Sequence, residues 1–368
     1  AAFGSYTSAT LLVSLATFGL VRNIRETVKV GAEFEDQITR VAAISNKAAH
    51  SSTEYQEALG SLKDRAVEVA ATSRFMATEV TQAMNELAMA GLMTEQIIMS
   101  VRDTMNLAAI GAIGFGEAAD IATNIMMGFQ LNIEQLGDVV DKMALAVTSS
   151  NQNISQLGNA MSYAAPVASA FGVSLEFIVA ATEVLANSGI KASRAGTGLR
   201  RIMVSLFTPT KKGAEAMRSM GIEVANLGEG MESLEMLDAP IGADMFKGMV
   251  GGTEELVSKL KQLYIMTAGA TTNIDLLYKI VDVRALPAMI QLIKSMDDGT
   301  KSLFELEKAL QGAGGTAEET IRKMTDTLKG QWQIFLGSIE SIRQGLFENE
   351  VESLTAFVKG LTSASQSL

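Results

Sequence analysis

Few residue groups in this 368-residue sequence have the types and spacing for chemistry. The only histidine, His50, lies between Ala48-Ala49 and Ser51-Ser52 near an expected helix end. A catalytic imidazole needs a carboxylate to orient it and a nucleophile to deprotonate. The neighbouring residues supply neither, so His50 reads as a surface or capping residue. One histidine and no cysteine exclude multi-histidine and thiolate metal sites within the chain. The acidic pairs Glu35/Asp36, Asp297/Asp298 and Glu318/Glu319 lack the Asp/Asn/Gly spacing of a calcium loop, and read as solvated faces or helix N-termini. Glycines gather at Gly111, Gly114 and Gly116 and again at Gly196-Thr197-Gly198. No Gly-Lys-Ser/Thr follows either group and no clear strand precedes it, so both read as turns and close helix packing rather than phosphate loops. No catalytic, metal-binding or cofactor-binding residue is expected, and no cofactor.

One charge feature stands apart. Residues 191–218 carry Lys191, Arg194, Arg200, Arg201, Lys211, Lys212 and Arg218 against Glu215 alone, a net +6 inside a chain of −11. Lys191, Arg194, Arg200, Arg201, Lys211 and Lys212 are the candidate contacts for an anionic partner: phosphates, lipid head groups or an acidic protein surface. The other reading is a solvated face or one paired within the molecule. Phe207 is the lone aromatic in the stretch, so base stacking has no support, and the acidic total argues against non-specific nucleic-acid binding by the whole chain.

The elements that must position these residues are helices. Aromatics are 5% of the sequence, Met is abundant at 21 residues, and only four prolines interrupt it. With Ala plentiful, this composition favours an all-α protein. Apolar stripes of three or four turns recur: Val80, Met84 and Leu87; Ile98, Val101, Met105 and Ala108; Leu136, Val139, Val140, Met143 and Val147; Ile154, Leu157, Met161, Ala165 and Ala168; Leu175, Ile178, Val179, Thr182 and Leu185. Polar punctuation separates them. Asn132 with Gln135, Asn153 with Gln156 and Thr316 with Glu319 have capping-box spacing, and Gly91, Gly128 and Gly189 sit where a left-handed helix end is favoured. The expected fold is short capped helix hairpins in a compact module. A long C-terminal helix follows from Thr316 to about Phe347, with a near-heptad stripe of Ile321, Met324, Leu328, Trp332, Phe335, Ile339, Ile342 and Leu346. That stripe suits one packed helix or a self-associating coiled coil.

Residues 143–175 carry no charged side chain, yet the polar run Thr148–Asn153 divides them into two apolar helices that need burial. Residues 1–21 are also uncharged and approach the ~20 residues of a membrane span. Ser5, Thr7, Ser8, Thr10, Ser14 and Thr17 dilute them, which leaves a bundle-packed helix and membrane contact both open. The chain opens at Ala1, so a processed product or part of something longer is expected. The expected divisions are 1–32, an apolar N-terminal helix; 33–210, a helical core; 211–252, an irregular Gly-rich connector; 253–312, a helical segment; and 313–368, the long helix and a C-terminal helix.

Several segments, in order, resemble the core region of phage tail tape measure proteins. Phe34 to Ser45 (FEDQITRVAAIS) looks like the opening of that region. Ala66 to Phe75 resembles its A-x-x-x-G-A-T-T-x-F segment, with Ala70 where glycine is usual. Met84 to Gly91 is similar to its Leu-Ala-x-Ala-Gly helix end, and Tyr163 to Ala168 to its Y-x-x-P-V-A helix. Ala186 to Arg201 (ANSGIKASRAGTGLRR) is the most specific piece. Coverage runs from Phe34 to Thr210, with weaker echoes at Val283 to Pro287 and around Trp332.

The resemblance implies a structural virion protein, not an enzyme, that sets tail length inside the tail tube and takes part in genome ejection. The alternative is a membrane-inserting, channel-forming helical protein for DNA delivery into the host. Implied partners are the tail tube protein, tail tip or baseplate proteins and further copies of the chain, as a homotrimer. The host membrane during ejection, and viral DNA nearby without sequence-specific binding, complete the set. The implied location is the tube lumen or tail tip, and the host envelope during infection. A cell-wall hydrolase would rest only on scattered carboxylates.

Overall fold

The computed structural model describes residues 29–46, 52–224, 252–267, 273–297 and 302–339. Among these the regular elements are all helices, with no strand. The chain divides into two compact units, one of residues up to Val101 together with those from Met324 onward, the other Arg102–Lys323. His50 and the 1–21 segment lie outside the described residues, as does nearly all of the expected 211–252 connector beyond Val224.

The first unit holds α1 (29–45), α2 (Ser52–Thr72), α3 (Ala77–Met89), the start of α4 (Thr94–Gly111) and α16 (328–339). Phe34, Ile38, Val41 and Ala42 are the buried stripe of α1; Leu62, Ala66, Val69 and Ala70 are that of α2; Val80, Met84 and Leu87 that of α3. These are i, i+3, i+4 spacings, so each helix turns one face inward. Polar ties fix the helices. Thr81 on α3 donates to Gln37 on α1, Arg65 Nε on α2 donates to the Ile98 carbonyl at 2.9 Å, and the Ser45 and Thr94 hydroxyls meet at 2.9 Å.

The second unit is built around α7 (Ile154–Ala170), which packs most extensively on α5 (Phe115–Phe129) and α9 (Ser193–Phe207). Small residues permit the approach. A Cβ on Gly128 of α5 would lie 2.7 Å from Ala165 Cβ, and one on Gly196 of α9 would lie 2.2 Å from the Ala160 carbonyl oxygen. Beside them lies α8 (Leu175–Asn187), in which Phe177 to Ala186 are all buried. A helix buried on every side over ten residues has to be enclosed, and α6 (Leu136–Ser149), α7, α9, α13 (Leu286–Lys294) and α14 (Leu303–Gln311) enclose it. The uncharged run from Met143 thus finds its burial inside this unit. The remaining helices are α10 (Lys211–Ser219), α11 (Gly252–Met266), α12 (Ile274–Ile280) and α15 (Thr316–Thr325).

The polar turn Ser149–Asn153 is held by α8. The Ser149 hydroxyl donates to Glu183 at 2.6 Å and the Asn151 N–H to the Asn187 side chain at 3.0 Å. The box at Asn153 and Gln156 forms, with Asn153 Oδ1 accepting from the Gln156 N–H at 2.8 Å and Gln156 Oε1 from the Asn153 N–H at 3.3 Å. Gly91 and Gly189 have φ of +97° and +84°, as a left-handed helix end requires.

Three local expectations fail. Gly128 lies inside α5, where its missing Cβ makes room for Ala165, and the left-handed end falls on Gln130 at φ +56°. The Thr316–Glu319 box does not form, because Thr316 is already within α15 and Asp141 of α6 supplies the cap, accepting from the N–H groups of Gly315 and Ala317 at 2.7 and 2.8 Å. The long helix expected from Thr316 is interrupted at Asp326-Thr327, and a new helix occupies 328–339. There the Thr327 hydroxyl accepts from the Gly330 N–H at 3.0 Å, and a Cβ on Gly330 would lie 2.3 Å from the Thr325 carbonyl oxygen, so the turn needs glycine. In the second helix Leu328, Trp332, Phe335 and Leu336 are exposed, with the Trp332 and Phe335 rings 5.4 Å apart.

Candidate functional site

The basic stretch spans the α8–α9 junction, α9 and α10. α8 ends in a Schellman-type turn: the Ile190 N–H reaches the Leu185 carbonyl at 2.8 Å, with Gly189 left-handed. Lys191 follows, then Ala192 at φ +53° and ψ −134°, a conformation that suits glycine far better than alanine. α9 starts at Ser193 and presents Arg194 to solvent. Thr210 caps α10, its hydroxyl accepting from the Gly213 N–H at 3.1 Å, and Lys211 and Lys212 occupy the first turn, both exposed.

The six candidate contacts therefore separate. Arg194, Lys211 and Lys212 are exposed, while Lys191 and Arg200 are half-buried. Arg201 differs from the others: it is 7% exposed and pairs with Asp282, in the loop before α13. The anion it meets in this structure is internal. Asp282 does two further jobs, its Oδ1 accepting from the Arg284 and Ala285 N–H groups at 2.7 and 3.1 Å. The sequence signal for this role is an Asp five residues before Pro287, proline being a residue type favoured in the first turn of a helix.

Other buried charges are tied up in the same way. Lys142 on α6 pairs with Asp138 and, at 3.3 Å, with Glu176 on α8. Lys259 on α11 pairs with Glu255 at 2.6 Å, donates to the Leu206 carbonyl at 2.9 Å and lies 5.1 Å above the Phe207 ring. Burial pushes the Glu183 carboxyl up to about 7, against the Ser149 hydrogen bond that pulls it down. Glu307 is raised by burial first and then by the charge of Glu176, with a hydrogen bond from Ser174 opposing both. A buried pair costs desolvation that its attraction only partly offsets, so such pairs fix geometry more than they add stability.

The glycine groups show the same economy of space. Gly111 ends α4 beside Ile154, with a would-be Cβ 2.9 Å away, and Gly114 precedes the first residue of α5. Gly198 sits equally close to Ala288 on α13. Among the described residues no group of three or more His, Asp or Glu side chains is placed to hold a metal ion, and no helix is long and apolar enough to cross a membrane.

The arrangement defines a helical packing module with its buried ions in structural pairs and an exposed remnant of the basic stretch. A family model described as phage-related minor tail protein matches residues 63–274, and the chain belongs to that family. Two curated relatives are similar to most of it. The tape measure protein of Pneumococcus phage Dp-1 is 28% identical over 331 residues, which cover 90% of this chain and 26% of the relative. The probable tape measure protein of Escherichia phage P2 is 22% identical over 354 residues, 95% of this chain and 40% of the relative. The chain thus spans well under half the length of either. No solved structure matches it.

Proposed function

We propose that this chain is a structural, non-enzymatic segment of a tail tape measure protein, housed in the tail tube or at its tip. The observation that carries this reading is similarity to two tape measure proteins over nine-tenths or more of the chain. The geometry supports it, because the most specific motif lies where α9 meets α7 too closely for any side chain at Gly196. A compact helical module of this kind anchors or organises, while length is set by extended helical sequence elsewhere in the protein. Its partners in this reading are the tube and tip proteins and further copies of itself, and it leaves the tube when the genome is ejected. Arg194, Lys211 and Lys212 are exposed cations that would face an anionic partner there.

The test is a series of in-frame deletions in a phage carrying this chain, made outside the module, with tail lengths measured by electron microscopy. Tails should shorten in proportion to the residues removed, and a constant length across the series sinks the reading.

A further inference from the structure

The first unit carries a groove lined by residues outside the basic stretch. About 610 Å³ of space lies between the C-terminal end of α1, the first turns of α2 and the α3–α4 turn. This is within the roughly 300–1,000 Å³ range of ligand sites. Ile44, Ala58, Ala88, Leu92 and Ile98 provide its apolar surface, and Met93, 55% exposed, stands at its edge. The Ser45–Thr94 hydrogen bond joins two of its walls. Three carboxylates, Glu54, Glu57 and Glu95, also line it, and no Lys or Arg does among the described residues.

Each feature selects the same kind of occupant. An apolar wall removed from water rewards Leu- or Ile-sized side chains. Methionine adapts its shape to such side chains at low cost and recurs on surfaces that accept varied peptides; Met89 and Met99, next in sequence to the lining residues Ala88 and Ile98, are also about half exposed. The acidic lining, with three carboxylates and no Lys or Arg among its described residues, repels an anionic segment and attracts a cationic one. An amphipathic helix seated in a groove supplies apolar anchors at i, i+3 or i+4 and i+7 with charges on its flanks.

We infer that this groove docks a cationic amphipathic helical segment of a partner protein, with apolar anchors against Leu92, Ile98 and Met93 and Lys or Arg side chains against Glu57 and Glu95. The docking is independent of tail-length control.

The experiment titrates the whole chain into a fluorescently labelled model peptide of about 18 Leu and Lys residues patterned as an amphipathic helix. A matched peptide with Glu in place of Lys is the control. The expected result is saturable binding of the Leu/Lys peptide, weakened when salt rises from about 0.05 to 0.5 M, and none of the Leu/Glu peptide. Glu57→Lys with Glu95→Lys, both at exposed positions, should weaken binding at least about tenfold. Met93→Ser should weaken it about threefold or more with little change in its salt dependence. Circular dichroism checks that each variant keeps its helices; if the double variant does not fold, Met93→Ser decides. Equal binding of both peptides, unchanged binding by the variants, or a groove covered by self-association of the chain in sedimentation with no peptide bound would each overturn the inference.

Discussion

Replacing Gly196 by alanine tests the packing on which the second unit depends. The added Cβ would lie 2.2 Å from the Ala160 carbonyl oxygen and 2.9 Å from the carbonyl carbon and Cα behind it. Carbon and oxygen tolerate an approach of about 3.2 Å or more, so α9 and α7 would have to part by about 1 Å along that line. The obstacle is backbone in the middle of a helix, so no rotamer change relieves it. Overpacking of this kind costs typically 1–3 kcal/mol, and a backbone obstacle places it at the upper end, while the helix propensity gained from Gly→Ala returns about 1 kcal/mol. The net loss expected is about 2 kcal/mol, a fall of roughly 4–8 °C in Tm for a unit of this size. The control is Gly60→Ala in α2, where a Cβ meets nothing within 4 Å; there propensity acts alone and stability should rise by about 1 kcal/mol. Thermal melts followed by far-ultraviolet circular dichroism read both. Ala160→Gly should not rescue Gly196→Ala, because the carbonyl and not the methyl is in the way. Equal gains in Tm from Gly196→Ala and Gly60→Ala would refute the close approach of the two helices.

Four further outcomes follow from the same geometry. The nearest atoms to a Cβ on Gly158 are three side-chain carbons of Ile121, at 2.6–2.9 Å, so pairing Gly158→Ala with Ile121→Ala, which removes all three, should cost less than the sum of the two single losses in a double-mutant cycle by chemical denaturation; additive losses would contradict this. The Glu183 carboxyl rises from 4.5 to about 7 on folding, so the folded state holds its proton to higher pH than the unfolded one. Stability from this group is complete below pH 4.5 and is lost as pH rises through about 7, by about 3 kcal/mol in all; urea midpoints should show the fall, and Glu183→Gln should flatten it. Arg201→Ala should cost about 3 kcal/mol or more, because Asp282 stays half-buried without its cation, and Arg201→Ala with Asp282→Asn should cost less than Arg201→Ala alone. Ala192→Gly should raise stability by about 1 kcal/mol in the same assay, by removing a non-glycine residue from φ +53°.

Local rules made part of this molecule legible and long-range contacts hid the rest. The stripe of Ile154, Leu157, Met161, Ala165 and Ala168 is buried at every position, because a period of 3.6 is a property of the helix itself. The Asn153–Gln156 cap forms because both partners lie within one turn. Thr316 and Glu319 had the same spacing, but Asp141, far away in sequence, brings a carboxylate to the N–H groups of Gly315 and Ala317. A charged acceptor makes the stronger hydrogen bond, and spacing along the chain cannot register a competitor from another helix. The long C-terminal stripe misled for a related reason: its period continues through Asp326-Thr327, while the turn there depends on Gly330 fitting beside the Thr325 carbonyl.

The basic stretch shows what this means for function. A count along the sequence treats Lys191 to Arg218 as one field of net +6, but a partner meets only what reaches the surface. Arg201 is neutralised by Asp282 and buried, and Glu215 is exposed on the same short helix as Lys211, Lys212 and Arg218. The surface field is therefore weaker than the count, and it resides chiefly in Arg194 and in α10. Exposed charges at such density are screened over about 8 Å at physiological salt. They suit steering towards an extended anionic surface better than a tight pocket for one phosphate. An anionic partner that binds through this face should then lose affinity when Lys211 and Lys212 are both replaced by Glu, measured as a weaker salt dependence of its association rate. Arg201→Lys, which leaves a buried cation beside Asp282, should leave that association unchanged. An equal effect from both variants would mean that Arg201 reaches the partner after all, contrary to its burial.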